Sequence, residues 1–268
     1  MQRMITAALL SSLLIPALAT AQERERNRDE NAFNWTGKVS AGSWVRVRNL
    51  NGDIDVQPGT GADTEIKAEK NWRRGDPKDV RFEVIKDGDN VTICALWFEQ
   101  SSCDADGYHS RGDHEDRGRR NNDVSVHFTI KLAKGVKVLT STVNGGIDIR
   151  GASAEAVAHT VNGEVDVATT TGPVEASTVN GGLSVRMDEI QGTGDMDFST
   201  VNGSVTVEAP ASLNAEVRMS TVNGGVSSMY PLTIIGRIQP KSIRGTIGTG
   251  GRQIKLSTVN GSIELRKL

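Results

Sequence analysis

A six-residue string recurs along the second half of the chain and limits its possible folds more than any other feature. It reads STVNGG, HTVNGE, STVNGG, STVNGS, STVNGG and STVNGS, starting at positions 141, 159, 177, 199, 220 and 257. The asparagines of successive copies are 18, 18, 22, 21 and 37 residues apart. Self-similarity with a period of about 20 residues is the signature of a repeat array whose units stack on one another.

Each copy predicts a turn followed by a short strand. The Asn-Gly pair favours a tight turn, because glycine and, less readily, asparagine adopt positive φ angles. The residues that follow alternate apolar and polar with the period of a β-strand, as in Ile147-Asp148-Ile149. We expect the apolar residues to point inward, and we expect Val201, just before its Asn-Gly pair, to lie inside as well. One copy cannot bury these residues alone, whereas stacked copies can.

Two architectures are compatible with such a pattern. An antiparallel meander could use each Asn-Gly pair as a hairpin turn. A β-solenoid would instead stack equivalent residues about 4.8 Å apart, so that identical side chains form ladders. Only the solenoid explains why the same residues recur in every copy, because they stack on one another. We therefore predict an all-β, single-chain β-solenoid (β-helix or β-roll) with coils of 18–22 residues over 136–268, and a structural turn ladder of Asn144, Asn162, Asn180, Asn202, Asn223 and Asn260.

The rest of the mature chain is rich in candidate strands without visible period. We predict strands at 44–48, 64–70, 80–85, 91–96 and 124–130, within a less regular β-rich cap region over 35–135 that carries a loop at 100–123. An early relative of the repeat occupies 49–56, and a degenerate copy is expected at 242–247.

The N-terminus has the pattern of a secretory signal peptide over 1–21. Arg3 precedes an apolar run at 5–18, and Ala19-Thr20-Ala21 offers a small-x-small cleavage site. The alternative, a membrane anchor, is disfavoured because the run is short for a span. We expect a mature protein without a membrane span, located in the periplasm or at the cell surface, beginning with a disordered charged leader at 22–34.

The chain has two cysteines, Cys94 and Cys103. A metal site would need more soft ligands nearby, so in an oxidising compartment we favour a disulfide between the two cysteines.

The formal charges of the chain nearly cancel, with 31 Lys plus Arg against 33 Asp plus Glu, which gives no reason to expect a nucleic-acid partner.

Candidates for chemistry are few. The 100–123 loop holds acidic residues and histidines that suggest a metal site, but its arginines compete for the carboxylates, so we expect a solvated insertion and no cofactor or metal. Its Arg111-Gly112-Asp113 tripeptide is too short a motif to assign an integrin-type role. No nucleophile elbow or recognisable triad order appears, so we expect no enzyme.

Three residues remain as weak binding candidates. Asp148 and Asp166 occupy equivalent places in adjacent copies, where we expect a solvated outer face; the alternative is a pair of carboxylates in a glycan-acting enzyme. Trp72, flanked by Lys70 and Arg73, offers an aromatic face to a sugar ring.

The motif order resembles a known family. Val45-Arg46-Val47 followed by 51–56 (NGDIDV), the strand at 124–130 and the Val-Asn-Gly copies are similar to the bacterial putative-adhesin family of unknown function. The resemblance covers 38–268 and implies a β-solenoid without catalytic residues. We therefore expect a structural or binding role in the cell envelope, with a cell-wall glycan or an envelope protein as partner. The alternative is an envelope sensor or regulatory module that binds a protein or peptide.

Overall fold

The computed structural model describes residues 23–27, 31–97, 100–109, 122–234, 239 and 241–268. The proposed signal peptide and the Arg-Gly-Asp tripeptide lie outside these residues. The described chain forms 24 strands and one 3-10 turn at Pro77–Asp79. The strands are β1 Glu23–Asn27, β2 Ala32–Gly37, β3 Trp44–Arg48, β4 Ile54–Pro58, β5 Thr64–Asn71, β6 Arg81–Asp87, β7 Asn90–Leu96, β8 Ser102–Cys103, β9 Tyr108–His109, β10 Ser125–Leu132, β11 Lys137–Ser141, β12 Ile147–Ala152, β13 Ala156–His159, β14 Val165–Thr169, β15 Val174–Ser177, β16 Leu183–Met187, β17 Met196–Ser199, β18 Val205–Ala209, β19 Ala215–Asn223, β20 Val226–Ser228, β21 Thr233–Ile234, β22 Ser242–Ile247, β23 Arg252–Asn260 and β24 Ile263–Lys267.

Two long sheets face each other across the core. Sheet A has the order β1-β6-β7-β3-β11-β13-β15-β17-β23-β19-β22-β21, and sheet B has the order β2-β5-β10-β4-β12-β14-β16-β18-β24-β20. In the repeats the chain runs along one strand of sheet A, turns a corner at the Thr-Val-Asn-Gly letters and returns along one strand of sheet B. Neighbouring coils pair in parallel and in register. The fold is a β-solenoid with two strands per coil.

The alternation in each strand explains why the coils stack. Val165 and Val167 are buried while Asp166 between them is exposed. Val165 lies opposite Ile147 in one neighbouring coil and Leu183 in the other, so the inward residues form continuous apolar ladders. Buried apolar area is the main source of stability, and each ladder residue depends on its neighbours for that burial.

The N-terminal half continues the same two sheets. β3 and β4 form the first coil, and their corner contributes Asn51 to the ladder. Beyond them both sheets gain antiparallel strands, β6 on β7 in sheet A and β5 on β10 in sheet B. Phe33, Phe82 and Phe128 fill the space between the sheets at this end, with ring centroids 4.8 Å apart for the first pair and 6.1 Å for the second. These bulky side chains close the end that would otherwise expose the core.

Two described parts of the stretch 22–34, which the sequence predicts to be a disordered leader, lie in strands. β1 pairs antiparallel with β6, and β2 begins at Ala32 and pairs antiparallel with β5. Each extends the edge of one sheet through backbone hydrogen bonds, which do not require an apolar pattern. The charged composition of this stretch was therefore a poor guide to its conformation.

The C-terminal coils are not stacked in chain order. β23 lies between β17 and β19, and β24 lies between β18 and β20, so the last copy of the repeat separates the two copies that precede it. Ser242–Ile247 is not the degenerate coil that the sequence suggested. It forms β22, which pairs antiparallel with the outer side of β19. A strand that pairs antiparallel outside the stack of coils needs no corner, which explains why this copy lacks Asn-Gly.

The two cysteines form a disulfide that fastens a short segment to the outside of sheet A. Cys94 lies on β7 and Cys103 on β8, which pairs with β9. Both are buried with Ile85 and Leu96 in a small apolar cluster separate from the main core. Within the described parts of the chain, no helix is long and apolar enough to cross a membrane.

Candidate functional site

The corners that join sheet A to sheet B form a continuous edge along the solenoid, which we call the Val–Asn edge. It consists of the Val-Asn pairs of six repeats together with Leu50-Asn51 of the first coil. The structure places the asparagines in one column, in the order Asn51, Asn144, Asn162, Asn180, Asn202, Asn260 and Asn223. Every predicted ladder residue lies in this column, with Asn260 displaced from the end to the place between Asn202 and Asn223.

The asparagine amides bond to one another along the column. From Asn144 onward, the Nδ2 group of each asparagine donates to Oδ1 of the asparagine before it in this order, over 2.7–2.9 Å at all six steps. An amide has two N–H donors and a carbonyl with two lone pairs, so this chain of bonds uses about half of its capacity. Because the asparagines of the repeats are exposed, the remaining donors and acceptors can meet a ligand.

The threonine of each corner points inward and satisfies a backbone carbonyl. Its Oγ1 donates to the corner glycine of the neighbouring coil over 2.8–3.1 Å, as Thr200 does to Gly181. The threonines are 4–7% exposed. A buried hydroxyl is costly without a partner, so this position needs a small side chain that can donate and pack.

The corner glycine is required by space and not by a turn conformation. A Cβ on Gly203 would stand 1.9 Å from the carbonyl oxygen of Gly181, and the other five repeat glycines meet a neighbouring backbone oxygen at 1.9–2.2 Å. No residue other than glycine has a positive φ in the described chain, so the asparagines do not adopt the left-handed conformation expected from the Asn-Gly pair. The backbone instead passes the corner extended, with Asn202 N donating to Val179 O of the adjacent coil over 2.8 Å.

The valines of five of the six repeat corners are exposed, and Val143 is half-buried. Val161, Val179, Val201 and Val259 are 38–39% exposed and Val222 is 55% exposed. The expectation that Val201 lies inside the coil is wrong: the threonine occupies the inward position, and side chains alternate, so its neighbour must face solvent. The result is a row of apolar side chains beside the row of amides.

The Val–Asn edge carries little charge. Among the six letters of the repeat copies, only His159 and Glu164 can ionise, at positions that elsewhere hold serine and either glycine or serine. A flat surface with alternating apolar and amide rows and little charge favours an uncharged partner.

His159 stands in a column of serines on the outer face of sheet A. Its Nδ1 lies 2.6 Å from Ser177 Oγ, and its Nε2 lies 3.9 Å from Glu175. The pKa of His159 is lowered by burial, with Glu175 opposing the shift and Arg48 adding to it. A serine–histidine contact alone does not make a nucleophile, which also needs an oriented base and donors for the developing oxyanion.

The predicted aspartates lie side by side on the outer face of sheet B. Asp148 is in register with Asp166 on one side and with Asp55 on the other. Asp148 and Asp166 border a shallow groove of about 380 Å³. Arg150 donates to both oxygens of Asp148 over 2.6–3.0 Å, and this interaction raises the pKa of Arg150. Asp148 is therefore held by an ion pair and is poorly suited to acid–base work.

Trp72 does not join the aspartates. It is 40% exposed and follows β5, which is separated from β12 by β10 and β4.

In the 100–123 loop, His109 Nε2 lies 3.0 Å from Asp104 Oδ2, and this contact is the largest cause of the lowered pKa of Asp104. No group of three or more metal-binding side chains occurs among the residues that the structure describes.

Comparison with known proteins assigns the family. A family model described as Toastrack DUF4097 matches residues 38–266. The chain belongs to this family. Two solved structures are similar over most of their length: a putative cell adhesion protein from Clostridium sporogenes (10% identity, 88% of this chain and 100% of that chain, TM-score 0.39) and a putative adhesin from Bacteroides fragilis (12% identity, 90% and 99%, TM-score 0.35). Among curated proteins, none matches the chain.

The sequence missed the Val–Asn edge as a surface, although every residue of it belongs to the repeat. The available signal was the position of valine directly after a residue that packs inward, which in a strand places it outward.

Proposed function

We propose that this DUF4097 protein is an exported, non-catalytic adhesive scaffold whose Val–Asn edge binds an uncharged polysaccharide of the cell envelope. The observation that carries the proposal is the valine row. Packing accounts for the threonine and the glycine of each corner, and the amide ladder accounts for the asparagine. Five of the six valines are exposed and Val143 is half-buried, yet all six copies keep the valine. A β-branched residue suits extended backbone, but threonine would serve equally well there.

The dimensions of the edge favour a polymer over a compact protein. Seven rungs at about 4.8 Å give a length of about 29 Å, and two residues at about 3.3 Å give a width of about 7 Å. The resulting area of roughly 200 Å² is well below the roughly 800 Å² per partner of a stable protein interface. A repeating polymer can contact several rungs at once, so that weak contacts add through effective concentration.

The chemistry of the edge agrees with a neutral glycan. Free amide donors and acceptors suit hydroxyl groups, and the valine row offers an apolar strip for the C–H faces of sugar rings. An anionic polymer would find no cationic row on this edge, where the repeat letters include no lysine or arginine.

The disulfide supports an exported location. Disulfides persist in oxidising compartments, so the Cys94–Cys103 bond favours the periplasm or the cell surface over the cytoplasm. Export through the signal pattern of residues 1–21 is part of the same proposal.

The experiment places two aspartates on the Val–Asn edge and compares them with two aspartates on the outer face of sheet B. The double variant Val179→Asp/Val201→Asp should lose at least about tenfold in binding to neutral polysaccharides on a glycan array, equivalent to about 1.4 kcal/mol. Ser184→Asp/Thr206→Asp, on neighbouring strands of the outer face of sheet B, should bind as the wild type does, and urea unfolding should confirm that all three proteins fold.

Two outcomes would contradict the proposal. Unchanged glycan binding by the double variant would exclude the Val–Asn edge as the contact surface. Absence of glycan binding by the wild type, together with capture of one envelope protein or peptide that the double variant fails to capture, would favour the sensor or regulatory module instead.

A further inference from the structure

The last segment of the chain, Arg252–Leu268, forms an arch that fills a slot inside the solenoid. We call it the C-terminal arch; it comprises β23, a corner and β24. One wall of the slot is the coil of β17 and β18, and the other is the coil of β19 and β20. Both walls precede the arch in the chain, so the arch inserts between two coils that earlier segments form.

The corner of the arch is held by the same contacts as the other corners. Asn260 donates to Asn202 over 2.7 Å and accepts from Asn223 over 2.8 Å. Thr258 donates to Gly203, and Thr221 of the far wall donates to Gly261 of the arch. These bonds recognise a Ser-Thr-Val-Asn-Gly arch, and nothing in them depends on whether the arch belongs to the same molecule.

If the arch left the slot, the two wall coils could stack directly on each other. The asparagines of the walls, Asn202 and Asn223, are 21 residues apart, and the directly stacked Asn180 and Asn202 are 22 residues apart. The wall coils are therefore spaced in the chain as adjacent rungs are. With the arch outside, Thr221 could meet Gly203 as Thr200 meets Gly181, and the ladder would close across the gap. This alternative stacking would lower the free energy of the opened state.

A glycine-rich connection leads into the arch. It spans 248–251 and crosses the beginning of β19, with Gly248, Gly250 and Gly251 at positive φ angles of 58°, 77° and 116°. Asn214 Oδ1 accepts from Thr249 N over 2.9 Å at the crossing. Glycine is the residue that changes between such conformations most readily. From Ile247 to Arg252 an extended connection would reach about 17 Å, more than the roughly 10 Å between β22 and β23 across β19.

We propose that the slot accepts the C-terminal arch of a second copy of this chain, so that two molecules exchange arches and form a reciprocal dimer. Exchange replaces each contact by an identical one, which is why swapping of a terminal element is a low-cost route to a dimer. The dimer keeps both asparagine columns complete, since each receives an Asn260. This assembly does not depend on what the Val–Asn edge binds.

The test uses disulfides that report which molecule fills the slot. Ser199 of the wall and Ser257 of the arch lie in register on neighbouring strands, whose spacing of about 4.8 Å falls within the Cα–Cα range of disulfides. The full-length variant Ser199→Cys/Ser257→Cys is refolded at increasing concentration and oxidised. The matched control Ser177→Cys/Ser199→Cys joins two rungs that are not exchanged.

The proposal expects a covalent dimer on a non-reducing gel for the first variant, increasing with protein concentration, and monomers for the control. Monomers for both variants at every concentration would overturn it. A second measurement needs no substitution: light and ¹⁵N-labelled wild type are refolded together, and native mass spectrometry should find mixed dimers. Only monomers, or mixed dimers that also form when the two folded proteins are merely combined, would exclude arch exchange.

Discussion

Gly203 stands where a side chain has no room, because the carbonyl oxygen of Gly181 in the adjacent coil lies 1.9 Å from the place of its Cβ. The neighbouring atom is backbone and cannot move without separating two rungs. We therefore expect Gly203→Ala to lower the free energy of unfolding by about 2–3 kcal/mol, as overpacked sites do. The measurement is urea unfolding of the variant beside the wild type.

Gly182 provides the matched control. It lies in the same row of corners, but the nearest atom to its Cβ position is Ser204 O at 3.7 Å, an ordinary contact. Gly182→Ala should change stability by less than about 0.5 kcal/mol. Equal losses in the two variants would show that backbone entropy, and not the approach of the coils, sets the requirement for glycine.

His159 should make stability depend on pH. Burial lowers its pKa in the folded state, Glu175 partly offsets the shift and Arg48 adds to it, so the unfolded chain binds a proton more readily. A group whose folded pKa is depressed in this way destabilises the fold when it is protonated, and stability rises with pH. As the pH falls from 7 to 5, the wild type should lose more free energy of unfolding than His159→Ser, which restores the residue of the other copies.

The same two proteins should show no pH-dependent difference above roughly pH 8, where histidine is neutral in both states. Parallel stability curves for wild type and His159→Ser across the whole range would contradict the assignment of this titration to His159.

The repeat shows which residues recur, but it does not show which side chains of the corner point inward and which point outward. Threonine is small and polar and valine is apolar, so composition placed Val201 inside and gave threonine no particular role. The structure reverses this, because Thr200 can donate to Gly181 while the glycines bring the coils close enough for that bond. A hydrogen bond between neighbouring coils cannot be inferred from the letters of one coil.

At the scale of elements, the disulfide is the main covalent constraint on the segment outside sheet A. Cys94 and Cys103 close a loop with a sequence separation of 9, which the chain-entropy model values at about 2–3 kcal/mol. We expect Cys94→Ser/Cys103→Ser to lose about this amount in urea unfolding. Mass spectrometry of non-reduced peptides from the wild type, prepared without reductant, should find the two cysteines linked.

Two results would contradict this prediction. Free thiols in the wild type prepared without reductant would exclude the bond itself. A variant as stable as the oxidised wild type would mean that the segment is held by the apolar contacts of Ile85, Leu96 and Tyr108 alone.

Most strands were predictable and their order was not. The five candidate strands of the first half correspond to β3, β5, β6, β7 and β10 within two residues at each end. Their alternation is local, whereas pairing is a long-range choice. The corner residues at the end of β23 are the same as those at the ends of β17 and β19, so they do not predict which strands the last copy pairs with. Strand β1 was missed because edge pairing uses the backbone and leaves no apolar signature.

At the scale of the whole molecule, the stack is close to a one-dimensional array. Each coil contacts mainly the coils on either side, so stability is approximately a sum of coil terms and interface terms. The number of coils can then change without a new fold, provided that the inward and outward positions keep their phase. The coils with 18-residue spacing offer the cleanest place for such a change.

Deletion of residues 145–162 removes one coil and joins Asn144 to Gly163, which restores the Ser-Thr-Val-Asn-Gly corner. In the shortened chain β11 should pair with β15, and β14 should pair with β4, with Gly163 stacked on Gly52. We expect a folded protein with strand-type circular dichroism, a cooperative urea transition and a smaller m-value, because less surface is exposed on unfolding.

The control deletes Asp166 in addition to residues 145–162. Val167 then takes an outward position and the remaining strand loses its phase, since a shift of one residue turns every side chain of a strand to the opposite face. The control should therefore be much less stable than the in-phase deletion, or fail to fold. If the two deletions were equally stable, the strands would tolerate a change of facing, and the apolar ladders between the sheets would not be what holds the coils together.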